Sequence, residues 1–177
     1  MQNKGAKKGF LSVRELVLFP LFGTLMFCSK IVMEALPNIH LLGMFTMVFT
    51  LVFRKKALIP IYIFVFLTVL YAGFTPWVAP YLYAWTVLWG VTMLLPKRMP
   101  GRVKYVVYPL ICALHGLSFG VLCAPCQALF FGLNFKGTLA WIAAGLPFDI
   151  THAVGNLLAG ILVMPLSKLL QKITQKQ

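Results

Sequence analysis

Residues 39–72 read IHLLGMFTMVFTLVF, then RKK, then ALIPIYIFVFLTVLYA. Two apolar runs, neither holding a carboxylate, an ammonium or a guanidinium, flank the triplet Arg54-Lys55-Lys56. Basic residues next to membrane spans stay preferentially on the cytoplasmic side, so the triplet reads as the inner turn of a membrane hairpin. The same arrangement recurs outward in both directions. Of the 16 Lys and Arg residues, all but Lys30 and Lys136 fall into four clusters: Lys4/Lys7/Lys8/Arg14, Arg54/Lys55/Lys56, Lys97/Arg98/Arg102/Lys104 and Lys168/Lys172/Lys176. Roughly 40 apolar-dominated residues or more separate consecutive clusters, and a hydrocarbon core takes about 20 residues per helix, so each interval reads as an out-and-back pair. The expectation is an all-α integral membrane protein of six transmembrane helices with both termini cytoplasmic. It would form one membrane domain over residues 1–177, multi-pass in the cell membrane.

Composition agrees, with 60% hydrophobic and 11% charged residues, a balance that belongs to membrane proteins rather than soluble domains. A net charge of +13 raises the question of nucleic acid. The charge sits in inner-loop clusters instead of on one basic face, so it reads as topology assisted by anionic lipid, with no nucleic-acid partner. The basic start and first apolar run resemble a signal peptide without a small-residue cleavage site and read as a retained first helix. The predicted spans are 14–33, 39–53, 57–72, 78–95, 105–122 and 138–170. Residues 123–137 read as an outer segment, Pro147 as a kink in the last helix, and Gly116 with Gly120 either as a close helix contact or as a chance spacing.

Glu15, Glu34 and Asp149 are the only carboxylates. Glu15 beside Arg14 reads as a solvated neighbour. Lys30 and Glu34, four apart, share a helical face and either front a ligand cavity or form an interfacial pair. Asp149, His152 and Asn156 lie on one stripe of the last helix; the stripe is a site candidate, since charge inside a span is costly, or a network locking that helix to its neighbours through His115. Cys123-Ala124-Pro125-Cys126 has the spacing of a dithiol redox motif. A membrane thiol oxidoreductase is therefore a rival reading, although Cys28 and Cys112 lie singly within helices rather than as a second pair. The histidines make no zinc spacing with these cysteines, and no phosphate-binding glycine loop, nucleophile elbow or paired carboxylates occur, so the chain reads as a non-enzyme without cofactor or metal. What remains is a collection of outer aromatic and amide groups: Asn38, His40, Trp77, Tyr81, Tyr83, Trp85, Gln127, Phe130, Phe131, Asn134 and Phe135. Part of it is an interfacial belt, and the same groups suit a pocket that stacks a conjugated ligand and hydrogen-bonds its amides.

The whole layout resembles the substrate-binding S-component of an energy-coupling factor (ECF) vitamin transporter: small, basic, six-helical, with no ATPase motif. The segments MEALPNIHLLGMF at 33–45 and AWIAAGLPFDITHAVGN at 140–156 resemble one subgroup, the cobalamin-specific members being the nearest. The resemblance implies vitamin uptake, with ligand held at the outer helix ends by Lys30, Glu34, Asn38, His40, Trp77, Tyr81, Tyr83, Trp85, Phe131, Asn134, Phe135, Asp149 and His152. It implies partners too, a transmembrane coupling subunit and two cytoplasmic ATPases. Members often dock through an alanine-xxx-alanine face on helix 1; this chain offers Gly23, Thr24, Cys28 and Ser29 there instead. Cobalamin, a broad ring edged with amides, suits a weakly charged site, while Lys30 and Lys136 leave pantothenate-like and pyridoxal-like ligands open. An orphan membrane scaffold, without any ligand, is the third reading.

Overall fold

A computed structural model describes residues 11–36, 38–96 and 98–175; Lys4, Lys7, Lys8, Pro37, Lys97 and Lys176 lie outside the described residues. Those described form eight α-helices and no strand: α1 Val13–Val32, α2 Leu42–Phe53, α3 Leu58–Ala72, α4 Tyr81–Leu94, α5 Gly101–Leu117, α6 Phe119–Phe131, α7 Phe135–Gly160 and α8 Val163–Gln175. The stretches Val13–Ala35, Leu42–Ala72 and Gly101–Phe131 are each long and apolar enough to cross a membrane, and α7 with α8, bent by 47°, makes a fourth. Their lateral surfaces are apolar as well: Leu16, Leu21, Phe66, Leu94 and Leu129 are all exposed. Helices apolar on both the packed and the outward side are those of a membrane bundle.

The second of these stretches doubles back. Phe22 of α1 stacks on Phe49 and Phe19 meets Phe53 edge-on, so α2 descends as α1 rises. Farther along α1, Gly23 lies against Pro60 and Ile63 and Phe27 meets Tyr71, so α3 rises beside α1. The reversal is made at Arg54, whose φ of 55° lies in the left-handed region that a non-glycine residue seldom adopts. The basic triplet is thus a hairpin turn, as the charge pattern required. The helices on either side are only 12 and 15 residues long, and α4 has 14, below the about 20 that a perpendicular span takes.

Opposite this half, α5 and α6 run almost in line across a break at Ser118, packed antiparallel on α7. A Cβ on Gly116 would stand 2.8 Å from the carbonyl oxygen of His152, and one on Gly160 would stand 2.6 Å from Pro109. Glycine at these positions is what lets the backbones approach. The Gly116/Gly120 pair therefore does serve a close helix contact.

Three expectations are corrected here. Residues 123–131 belong to α6 and not to an outer segment: the Ala/Leu/Phe-rich run keeps helical geometry until Gly132, in the left-handed conformation (φ 63°), ends it. The last helix is not one rod over 138–170: α7 includes Pro147 and ends at Gly160, and α8 follows at a 47° bend, where Pro109 crowds the backbone and Pro165 occupies the first turn of α8, a position that tolerates proline. Glu15 is more than a solvated neighbour of Arg14. It closes a capping box with Ser12 at the start of α1 and receives the Lys56 ammonium at 2.8 Å.

Arg14 donates to the carbonyls of Ile173 and Thr174 in the last turn of α8. Both ends of the described chain therefore meet on one face of the bundle, the face that also carries Arg54 and Lys56. At the other face, the Asn134 side chain accepts from the Gly137 N–H at 2.9 Å and starts α7. Replacing Asn134 with alanine is expected to lower stability by about 1 kcal/mol, the usual worth of such a cap, with ligand binding unchanged; a melting curve and a titration on the same sample check both halves.

Candidate functional site

At the face opposite the start of α1 and the end of α8, residues of α1, α4, α6, α7 and the connections beside them enclose a cavity of about 580 Å³. One wall comes from the end of α1 and the segment after it: Lys30, Met33, Glu34, Leu36, Asn38, Ile39 and His40. Asn38 makes the turn possible with a φ of 61°, a conformation asparagine tolerates better than most residues. The facing wall is one stripe of α7, Trp141, Ala144, Gly145, Phe148, Asp149 and His152, at the three- and four-residue spacing of a helical face. Trp77, Tyr81, Phe119, Gly120 and Cys123 close the remaining side. Trp77 and Trp141, with ring centroids 6.4 Å apart, form an aromatic bridge across it.

The floor combines rings with polar atoms. His152 lies 5.1 Å, ring to ring, from both His40 and Phe119, and Trp85 sits behind them, 5.8 Å from His40 and 5.6 Å from His115. All three histidines of the chain are thereby gathered on one aromatic cluster. His115 Nε2 lies 3.0 Å from the Ala84 carbonyl. The Nδ1 atoms of His40, His115 and His152 and the indole nitrogen of Trp85 are buried with no hydrogen-bond partner among the described residues. Buried polar atoms normally find a partner; of these four, only the nitrogens of His40 and His152 belong to residues that line the cavity, and these have hydrogen-bonding capacity to offer. In the connection ahead of α2, burial, with His152 and His115 close by, pushes the His40 imidazole down to about 3 and keeps it neutral at pH 7.

Charge in the cavity is sparse. Asp149 is buried and accepts the Gly120 N–H at 2.9 Å. At the mouth Lys30 and Glu34 pair at 2.8 Å, with Glu34 about half exposed. The ammonium is thus already matched by one carboxylate before Asp149 is counted. No group of three or more His, Cys, Asp or Glu among the described residues could hold a metal ion.

Eight of the residues expected at the site line this cavity: Lys30, Glu34, Asn38, His40, Trp77, Tyr81, Asp149 and His152. Five do not. Trp85 lies one helical turn below Tyr81, fully buried in the core. Tyr83 points to α6, where its hydroxyl donates to the Leu122 carbonyl and lies 3.5 Å from Cys126 Sγ. Asn134 is spent on capping α7, and Phe131 and Phe135 are exposed on the outside. Gln127, another outer amide, donates to the Pro76 carbonyl instead. Phe119, Trp141 and Phe148 were missed; carrying the Asp149/His152 stripe back by one and two turns would have found Gly145 and Trp141. The stripe also joins helices: Asp149 ties α7 to α6 and Asn156 packs on Gly43 and Gly116, whereas His115 pairs with the Ala84 carbonyl and not with the stripe.

Of the small residues on α1, Gly23 is covered by Ile63 and Pro60, whereas Thr24 and Cys28 face outward. Cys123 and Cys126 are free thiols one turn apart inside α6. Catalytic dithiols sit at a helix N-terminus, where the thiolate is stabilised; Cys123 is instead buried in the fifth position of its helix, and nothing here favours redox chemistry. No family model matches the chain, and neither a curated protein nor a solved structure does.

Proposed function

We propose that this chain is the substrate-binding S-component of an ECF-type vitamin transporter, crossing the cell membrane six times with both termini cytoplasmic. It captures a vitamin in the outer cavity and performs no chemistry on it. Transport depends on a transmembrane coupling subunit and two cytoplasmic ATPases. The observation that carries this reading is the cavity itself: aromatic walls, a floor of neutral rings with unused nitrogens, and an opening at the face opposite the chain ends. Its volume falls in the range that encloses drug-sized ligands. The short α2, α3 and α4 cross as six-span helices by lying in a locally thinned bilayer or by lengthening into their connections.

Cobalamin is the first ligand to test, because its amide edge matches the asparagine, histidine and carboxyl groups around the cavity. At about 580 Å³ the cavity takes part of the corrin ring, with Trp77 and Trp141 along its edge, and leaves the rest outside. A smaller ring such as riboflavin or pyridoxal would be enclosed. Calorimetric titration of the purified chain with cobalamin, riboflavin, pyridoxal, folate and pantothenate tests both class and ligand. Saturable one-to-one binding of one vitamin is expected. Binding of a vitamin other than cobalamin keeps the class and replaces the ligand, whereas silence from all five would sink the S-component reading.

A further inference from the structure

At the end of the bundle remote from the vitamin cavity lies a second one, of about 400 Å³, bounded by the turn after α2, the connection from α4 to α5, and α8. Arg54, Lys104 and Lys168 all line it, together with Tyr108, Ser167 and Gln171. Three cations in one cavity repel one another unless an anion joins them. None of the chain's side-chain carboxylates does: Glu15 is bound to Lys56, Glu34 to Lys30, and Asp149 lies in the outer cavity.

Two of the three cations have contacts that position them. Arg54 keeps its left-handed backbone while its guanidinium donates to the Met93 carbonyl at 3.1 Å and its own carbonyl accepts from the Trp89 indole. A strained residue fixed from both sides marks a position whose side chain is being aimed. The Lys168 ammonium lies 5.7 Å from the centroid of the Tyr105 ring. Independently of charge, the Ser167 hydroxyl, on a residue only 4% exposed, is buried in this lining with no hydrogen-bond partner among the described residues. A forked guanidinium, two ammonium groups and a buried hydroxyl donor form a donor set suited to a tetrahedral oxyanion.

We propose that this inner-face cavity binds a phosphate group, with Arg54, Lys104 and Lys168 sharing its charge and Ser167 donating a hydrogen bond. Two sources carry that chemistry: the phosphodiester of an anionic inner-leaflet lipid, and soluble phosphate. The proposal does not depend on which vitamin, if any, occupies the outer cavity.

The test is made on the full chain in neutral detergent, following thermal unfolding and lipid retention in native mass spectrometry. Probes are phosphatidylglycerol, phosphatidylcholine and inorganic phosphate, and the variants are Lys104→Gln/Lys168→Gln, Lys168→Gln alone, and Lys172→Gln. Lys172 is exposed on α8 and outside the lining, so it reports general attraction of a basic surface for anionic lipid. Phosphatidylglycerol is expected to raise the melting temperature more than phosphatidylcholine, and the double variant to bind it about tenfold more weakly, with Lys172→Gln unchanged. Should the double variant fail to fold, Lys168→Gln alone is expected to show a smaller loss in the same direction. A matching shift with inorganic phosphate assigns the site to a soluble ligand. Equal responses to the two lipids with none to phosphate would overturn the proposal, as would a loss in Lys172→Gln as large as in the cavity variants.

Discussion

Replacing Trp85 with alanine is expected to cost about 3–5 kcal/mol of stability, the range for removing a large aromatic side chain from a packed interior. Trp85 is completely buried and meets the rings of His40, Phe64, Tyr81, His115 and Phe119 at centroid distances of 5.5–6.0 Å. From α4 it reaches α3, α5, α6 and the segment before α2, so its loss opens a void at the point where both halves of the bundle join. Denaturant or thermal unfolding in detergent reads the effect. A variant that melts like the parent while binding vitamin more weakly would make Trp85 a ligand contact, contrary to its burial.

Asp149→Asn should separate ligand binding from folding. The asparagine oxygen still accepts from the Gly120 N–H that the carboxylate accepts at 2.9 Å, so the α6–α7 contact survives. What disappears is the one cavity carboxylate without a cationic partner of its own. A hydrogen bond to a charged group is worth about 1.5–3 kcal/mol, which corresponds to a 10- to 100-fold weaker binding of whichever vitamin titrates. Lys30→Gln is the comparison: Lys30 is matched by Glu34 at the mouth, and its loss is expected to matter less. If the two variants weakened binding equally, or if only Lys30→Gln did, the ligand would be anchored at the mouth by an anionic group rather than at the floor.

The apolar helices and the reversal at Arg54 were legible because charge placement is nearly independent of packing: Arg54-Lys55-Lys56 announces a reversal whatever the helices around it do. Length was less legible. α6 runs through Pro125, an interior position that proline disfavours, as far as Gly132, so a stretch rich in aromatic and small residues reads as an outer segment although it is helical. The site divides in the same way. Asp149 and His152 could be found from helical spacing alone, since a stripe on one helix needs no knowledge of its neighbours. Trp85 was misplaced because it shares a face with Tyr81, and only the depth of the turn, set by where α4 starts at Tyr81, decides which ring reaches the cavity and which the core. Trp141 was missed because an aromatic at a helix end reads equally well as interfacial. The convergence of Arg54, Lys104 and Lys168 on one cavity was not legible, because they belong to three separate basic clusters and only packing brings them together.

The tie from Arg14 to the carbonyls of Ile173 and Thr174 has a consequence for how the polypeptide is organised. A guanidinium seated on the last carbonyls of α8 meets both their unsatisfied acceptors and the negative end of that helix. The start of α1 and the end of α8 are thereby clasped, so α1 cannot splay from the bundle without leaving the last turn of α8 with unmet carbonyls.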